Sequence, residues 1–179
     1  MDLKNILDLI FYGAGAVAII ALPFLIVNWA RYMRARARAA FPSSRAEVAF
    51  PAKSVGLFVT SILIAAAVAS VATTTARQEA QRFLGESTGD MTVYVNGRLI
   101  SDQDEVLSVL KGVASYSAHH SHPTTRIRVD VMSSKGNLAL ELGRDSGNPR
   151  EYWVFSQRQG ITSSNDIGRI TTSAFDKYR

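Results

Sequence analysis

All three histidines of the chain lie in one run, HHSHP, as His119, His120 and His122. Neutral imidazoles are good zinc or copper ligands, and in an extended segment His120 and His122 would project to the same side. No carboxylate or cysteine lies close enough in sequence to complete a tetrahedral set, and the surrounding residues are Ser, Thr and Pro. We read the run as a solvated loop and assign it no metal.

The other reactive residue types are no better arranged. No G-x-S-x-G elbow and no phosphate-binding glycine loop is present, and GAGAVA, near the N-terminus, falls inside an apolar run rather than after a strand. Asp102, Asp104 and Glu105 cluster where a helix begins, which is ordinary cap and dipole chemistry. Arg144, Asp145, Arg150 and Glu151 flank a turn and read as local ion pairs. We therefore assign no catalytic residue and no cofactor.

The one stretch that reads as a contact surface is EYWVFS. In a strand, Tyr152 and Val154 face one way and Trp153 and Phe155 the other, so both faces are apolar or aromatic. A closing helix carrying Ile167, Ile170 and Phe175, capped near Ser164 or Asn165, is expected to cover one face. The alternative is an exposed aromatic patch of the kind that binds partners, with Tyr152, Trp153, Phe155, Arg126 and Arg128 as its candidate contact residues.

Those residues belong to an organised C-terminal segment, 91–179. TVYV and RLI flank Asn96-Gly97, a type I′ hairpin signal. SDQDEVLSVLKGVASY then places Val106, Val109, Leu110 and Val113 on one helical stripe behind a Ser101/Asp104 capping pattern. RIRVDVM and LALEL alternate, with Ile127, Val129, Val131, Leu138, Leu140 and Leu142 inward. The order β-β-α-β-β-β-α predicts an α+β domain whose antiparallel sheet is covered by helices.

Two uncharged runs precede it, Leu9 to Ala30 and Ser54 to Ala76. Each exceeds the ~20 apolar residues that a helix needs to cross a bilayer. We expect a transmembrane hairpin: a short outside N-terminus and first helix over 1–30, a loop over 31–53, a second helix over 54–76, and a helical stalk and linker over 77–90. Asp2, Lys4 and Asp8 precede the first run and the positive cluster follows it, the reverse of a cleaved signal peptide. Pro23 lies inside that run and would kink its helix.

The net charge of +5 belongs to the loop. Arg31, Arg34, Arg36, Arg38, Arg45 and Lys53 face the single Glu47 there, while the residues from Arg77 onward hold thirteen basic and twelve acidic side chains. Arginines beside apolar runs mark the cytoplasmic side of a membrane, so the loop is expected inside and both termini outside. The same arginines can rest on anionic headgroups, and Trp29 and Tyr32 sit where an interfacial aromatic belt belongs. Such a segment does not resemble a nucleic-acid surface, which spreads cations over a folded face among base-reading groups.

Small residues recur every fourth position on both runs, as Ala14 and Ala18 and as Ser61, Ala65 and Ala69, and allow close helix packing. They serve the hairpin itself, a second copy or another membrane protein. With no cysteine and an Arg/Ala-rich composition, the natural compartment is a bacterial inner membrane with a periplasmic domain. The expected role is a non-enzymatic accessory subunit or scaffold that meets the lipid bilayer and a membrane or periplasmic partner, or itself. A sensor relaying an external signal, or a metal-dependent envelope enzyme, are the alternatives.

Overall fold

A computed structural model describes residues 3–39, 49–86, 90–114, 120–157 and 166–178. The chain divides into two units, Met1–Ser70 and Val71–Arg179.

The first unit is helical. α1 spans Leu3–Ala39 without a break at Pro23, and α2 begins at Ala52 and continues to Glu86. Arg31, Arg34, Arg36 and Arg38 therefore lie in the end of α1, and Lys53 lies in α2. Burial follows one stripe on each helix: Leu7, Phe11, Ala14, Ala18, Ala21, Leu25, Asn28 and Tyr32 on α1, and Ser54, Phe58, Ser61, Ala65 and Val68 on α2. The spacing alternates between three and four residues, the 3.5-residue period of helices that pack along a shallow left-handed seam. Ala21 and Ser61 are its most buried members at 3% and 5% exposure. Asn28 donates its amide to Ser54 Oγ at 2.7 Å. Outside the stripe the helices are apolar and bare: Leu9, Ile19, Phe24 and Leu63 are each more than 60% exposed. Both helices are long and apolar enough to cross a membrane, and only 6% and 17% of their most apolar windows are buried.

The second unit is an antiparallel sheet domain with flanking helices. Its strands are β1 Thr92–Val95, β2 Arg98–Leu99, β3 Pro123–Ser133, β4 Gly136–Asp145, β5 Glu151–Ser156 and β6 Asp166–Thr171, in the order β2-β1-β3-β4-β5-β6. Between β2 and β3 the chain forms α3, Gln103–Lys111. The first hairpin turns through Asn96 at φ 50° and Gly97 at φ 77°, the left-handed pair that a type I′ turn demands. Alternation then decides the faces: Val93, Val95, Ile127, Val129, Val131, Leu138, Leu140, Leu142, Tyr152 and Val154 all point inward and are at most 4% exposed.

Val106 and Leu110 of α3 cover this inner face. So do Ala76, Ala80 and Leu84 of α2, spaced four apart on one side of the helix. Residues 77–86 are thus not a free stalk: Arg77 donates Nε–H to the Ile167 carbonyl and Gln81 its amide to the Val113 carbonyl at 2.8 Å. The expected Ser101/Asp104 capping box is absent. Asp102 occupies the cap position of α3 without capping it, and its carboxylate instead takes the Lys177 ammonium at 2.6 Å and the Tyr178 hydroxyl. Those two contacts hold it below the usual carboxylate range against a smaller opposing effect of burial.

The closing helix is also corrected. Ile167 and Ile170 lie in β6, paired antiparallel to β5, and a short 3-10 turn follows at Asp176–Tyr178. Ser164 and Asn165, where that helix was expected to start, lie outside the described residues. The i, i+3 spacing of the two isoleucines imitates a helix because β6 carries a bulge opposite Val154/Phe155, and one extra residue returns both side chains to the inner face. Gly168 sits at the bulge with φ 152°, and a Cβ there would lie 2.3 Å from the Ala114 carbonyl oxygen. The approach is used: Ala114 and Arg169 exchange backbone hydrogen bonds of 3.1 and 3.0 Å.

Candidate functional site

The outer face of the sheet carries the aromatic pair. β5 register sets Trp153 beside Gly143 on β4 and Arg169 on β6, and sets Phe155 beside Glu141 and Asp166. The two rings stack at 6.3 Å between centroids and 22° between planes. Room for them depends on Gly143, where an added Cβ would fall 2.6 Å from Pro123 Cβ and 3.1 Å from the Phe155 ring.

Arginines close both ends of the stack. The Arg169 guanidinium carbon lies 3.4 Å from the Trp153 ring centroid and that of Arg126 4.9 Å from the Phe155 centroid, in cation–π geometry. Each arginine is held by acid. Arg169 meets both Asp166 oxygens at 2.7 and 2.8 Å and Glu151 at 3.6 Å, whereas Arg126 pairs with Glu141. Phe155 and Arg169 are consequently 5% and 6% exposed, while Trp153 is half-buried.

Trp153 is fixed from its polar edge too. Its Nε1–H donates to Asp145 Oδ2 at 2.7 Å, and the other oxygen accepts the amides of Gly147 at 2.7 Å and Asn148 at 2.8 Å. Ser121 donates its hydroxyl to the same carboxylate. Burial alone would push the Asp145 carboxyl up, but these four donors together outweigh it and hold the group well below the usual range. The result is a preorganised ladder across four strands, with a half-buried indole at its centre. Its two arginines are paired with acids, whereas Asp145 is satisfied by neutral donors alone.

The sequence-derived residues divide sharply between faces. Tyr152 is 0% exposed and lies in the core, its ring 5.6 Å from Phe175 and its hydroxyl donating to Asp176 at 2.9 Å. Burial first, then that carboxylate, push its pKa up to about 12. It is therefore removed from the surface group. Trp153, Phe155 and Arg126 come together, and Arg128 lies one pair further along β3, bound to Asp130 at 2.8 and 3.0 Å. The expected closing helix does not cover the pair; the ladder itself shields Phe155.

The turn residues do not pair with one another as expected. Arg144 reaches the Pro149 carbonyl at 2.7 Å and Asp176 at 3.5 Å, and Glu151 reaches Arg169. His120 and His122 are exposed, His122 exchanging hydrogen bonds with Ser146, and His119 lies outside the described residues. Among the described residues no group of three potential ligands is placed to hold a metal. On the first unit, Arg31, Arg34, Arg36, Arg38 and Lys53 are exposed, and Arg45 lies outside the described residues. Ala14, Ala18, Ser61 and Ala65 fall on the seam, with Ala69 half-buried beside it.

Sequence reasoning missed Arg169, Asp166, Gly143 and Asp145. The i, i+3 isoleucines of DIGRIT suggest helix and so hide the Arg169–Trp153 pairing; RDSGN signals a turn, but not the acceptor for an indole eight residues on. No family model, curated protein or solved structure matches the chain.

Proposed function

We propose that the chain is a two-pass inner-membrane protein whose periplasmic α+β domain recognises a protein or envelope partner through the outer face of its sheet. It acts as an accessory subunit or scaffold, without catalysis of its own. The observation that carries this reading is the asymmetry of the sheet: helices cover the inner face, whereas among the described residues no helix covers the outer one, where Trp153 lies half-buried with its ring edge and face both held by neighbours. Rigid aromatic residues flanked by arginine are the usual anchors of protein interfaces, because little side-chain entropy is lost on contact.

Membrane insertion is supported by the bare apolar skin of α1 and α2, since soluble proteins rarely expose contiguous apolar areas of that extent. The arginine-rich loop end then lies in the cytoplasm and both termini outside.

The test is in-cell crosslinking from a photoreactive phenylalanine at Trp153, which keeps a ring in the ladder, with a second probe at Arg128. A discrete crosslinked partner recovered from both positions is the expected result. Crosslinks confined to the chain itself would overturn the surface assignment.

The sensor reading has one specific observation in its favour. α2 is a single helix that runs on from its apolar run to place Ala76, Ala80 and Leu84 in the sheet core. It predicts that substitutions at Ser61, Ala65 or Ala69 abolish a cellular output while the sheet domain stays folded; an accessory subunit would not separate the two.

A further inference from the structure

The charged end of the helical unit holds a cleft of about 700 Å³. Asn28, Arg31 and Tyr32 of α1 line it together with Phe50, Lys53 and Ser54 at the start of α2. The Asn28–Ser54 hydrogen bond ties the helices, and the Phe50 ring packs edge-on against Tyr32 at 5.7 Å and Trp29 at 6.1 Å. Arg31 and Lys53 are exposed, and no acidic side chain lines the cleft among the described residues.

Deeper along the helices the space turns apolar. Val17, Ile20, Phe24 and Leu57 border a groove of about 220 Å³ that shares Ser54 with the cleft as a common wall. Two cations and several polar donors in the cleft, with an apolar groove that shares its Ser54 wall, fit a molecule with an anionic head and an apolar tail. A free phosphate ion would use the first part and have no use for the second.

We propose that this cleft binds one anionic phospholipid, its phosphate held between Arg31 and Lys53 and an acyl chain lying in the groove below Ser54. The guanidinium offers a planar fork to two phosphate oxygens and the ammonium a mobile point charge. Anionic headgroups are known to settle in basic pockets between membrane helices on the cytoplasmic side. The inference rests on the membrane reading above.

Its test begins with carbonate extraction of membranes holding the full chain. Release as a soluble protein overturns the two-pass reading, and the lipid site with it. With integration established, the purified full chain in neutral detergent is titrated with phosphatidylglycerol and phosphatidylcholine and read by native mass spectrometry. One retained phosphatidylglycerol, preferred about tenfold, or roughly 1.4 kcal/mol, is expected. Arg31→Ala with Lys53→Ala removes that preference, whereas Arg34→Ala with Arg38→Ala, an equal loss of charge from the same end of α1, retains it. Equal loss in both double variants means diffuse attraction to the basic end and overturns the site. Displacement by excess inorganic phosphate means a simple anion pocket and overturns the lipid assignment. An integrated chain with no lipid preference sinks this inference alone.

Discussion

Asp145 shows how one carboxylate can organise a surface. It joins the turn after β4 to the indole of Trp153 by accepting four donors, all of them neutral. Because these hold its folded-state pKa below the ordinary value of 3.8, its stabilisation is complete above that value and is lost as the pH falls through the lower, folded one. Thermal melts of the full chain in detergent should therefore fall in midpoint below about pH 4. Asp145→Asn should start lower at neutral pH and show a shallower acid decline, with the remaining slope owed to Asp90 and Asp102, whose carboxyls are lowered as well. Identical slopes for the two proteins would assign the acid loss to those other groups. At this scale the sequence discloses the exception in alternation at Trp153 and Phe155, which is a local property. Gly143, Arg169 and Asp145 stay hidden because cross-strand neighbours depend on register, and a single bulge shifts it.

Among the elements, β6 and the end of α2 depart furthest from expectation, and for opposite reasons. β6 borrows the i, i+3 spacing of a helix through its bulge, so periodicity points the wrong way. The end of α2 is helical as expected, but Arg77, Gln78, Glu79 and Arg82 disguise a buried stripe only three residues long. Alanines at 76 and 80 suit that place, since a larger side chain would hold the helix off the sheet. β1, β3, β4 and the body of α3, by contrast, were legible because each repeats its period several times. The bulge makes a sharp prediction. Gly168→Ala places a methyl against the Ala114 carbonyl at a φ that L residues rarely adopt, and should destabilise the sheet domain by about 3 kcal/mol. A denaturation midpoint within error of the parent protein would mean that β6 pairs differently from the register described here.

For the whole molecule, the two apolar runs and the charge between them were plain in the sequence, since hydrophobic length and arginine placement need no tertiary context. The pairing of their faces was half legible: the small residues were visible, but the 3.5-residue seam that includes Ala21, Asn28 and Val68 appears only in the folded hairpin. The orientation we propose can be read directly, because the chain contains no cysteine of its own. An impermeant maleimide applied to intact spheroplasts should label Lys135→Cys, in the exposed turn between β3 and β4, and leave Arg38→Cys unlabelled until the membrane is opened. The reverse pattern would invert the topology.

The exchange between Ala114 and Arg169 has a bearing on how copies of this chain live together. A sheet can grow wherever a strand leaves its amides and carbonyls unclaimed. β6 has its outward hydrogen bonds at Arg169 taken by a residue from the α3 side, and β2, at the opposite border, offers only two residues to an incoming strand. Both borders are thus poor templates for fibre growth. The aromatic face proposed for a partner therefore sits between borders that give neighbouring copies little to polymerise on.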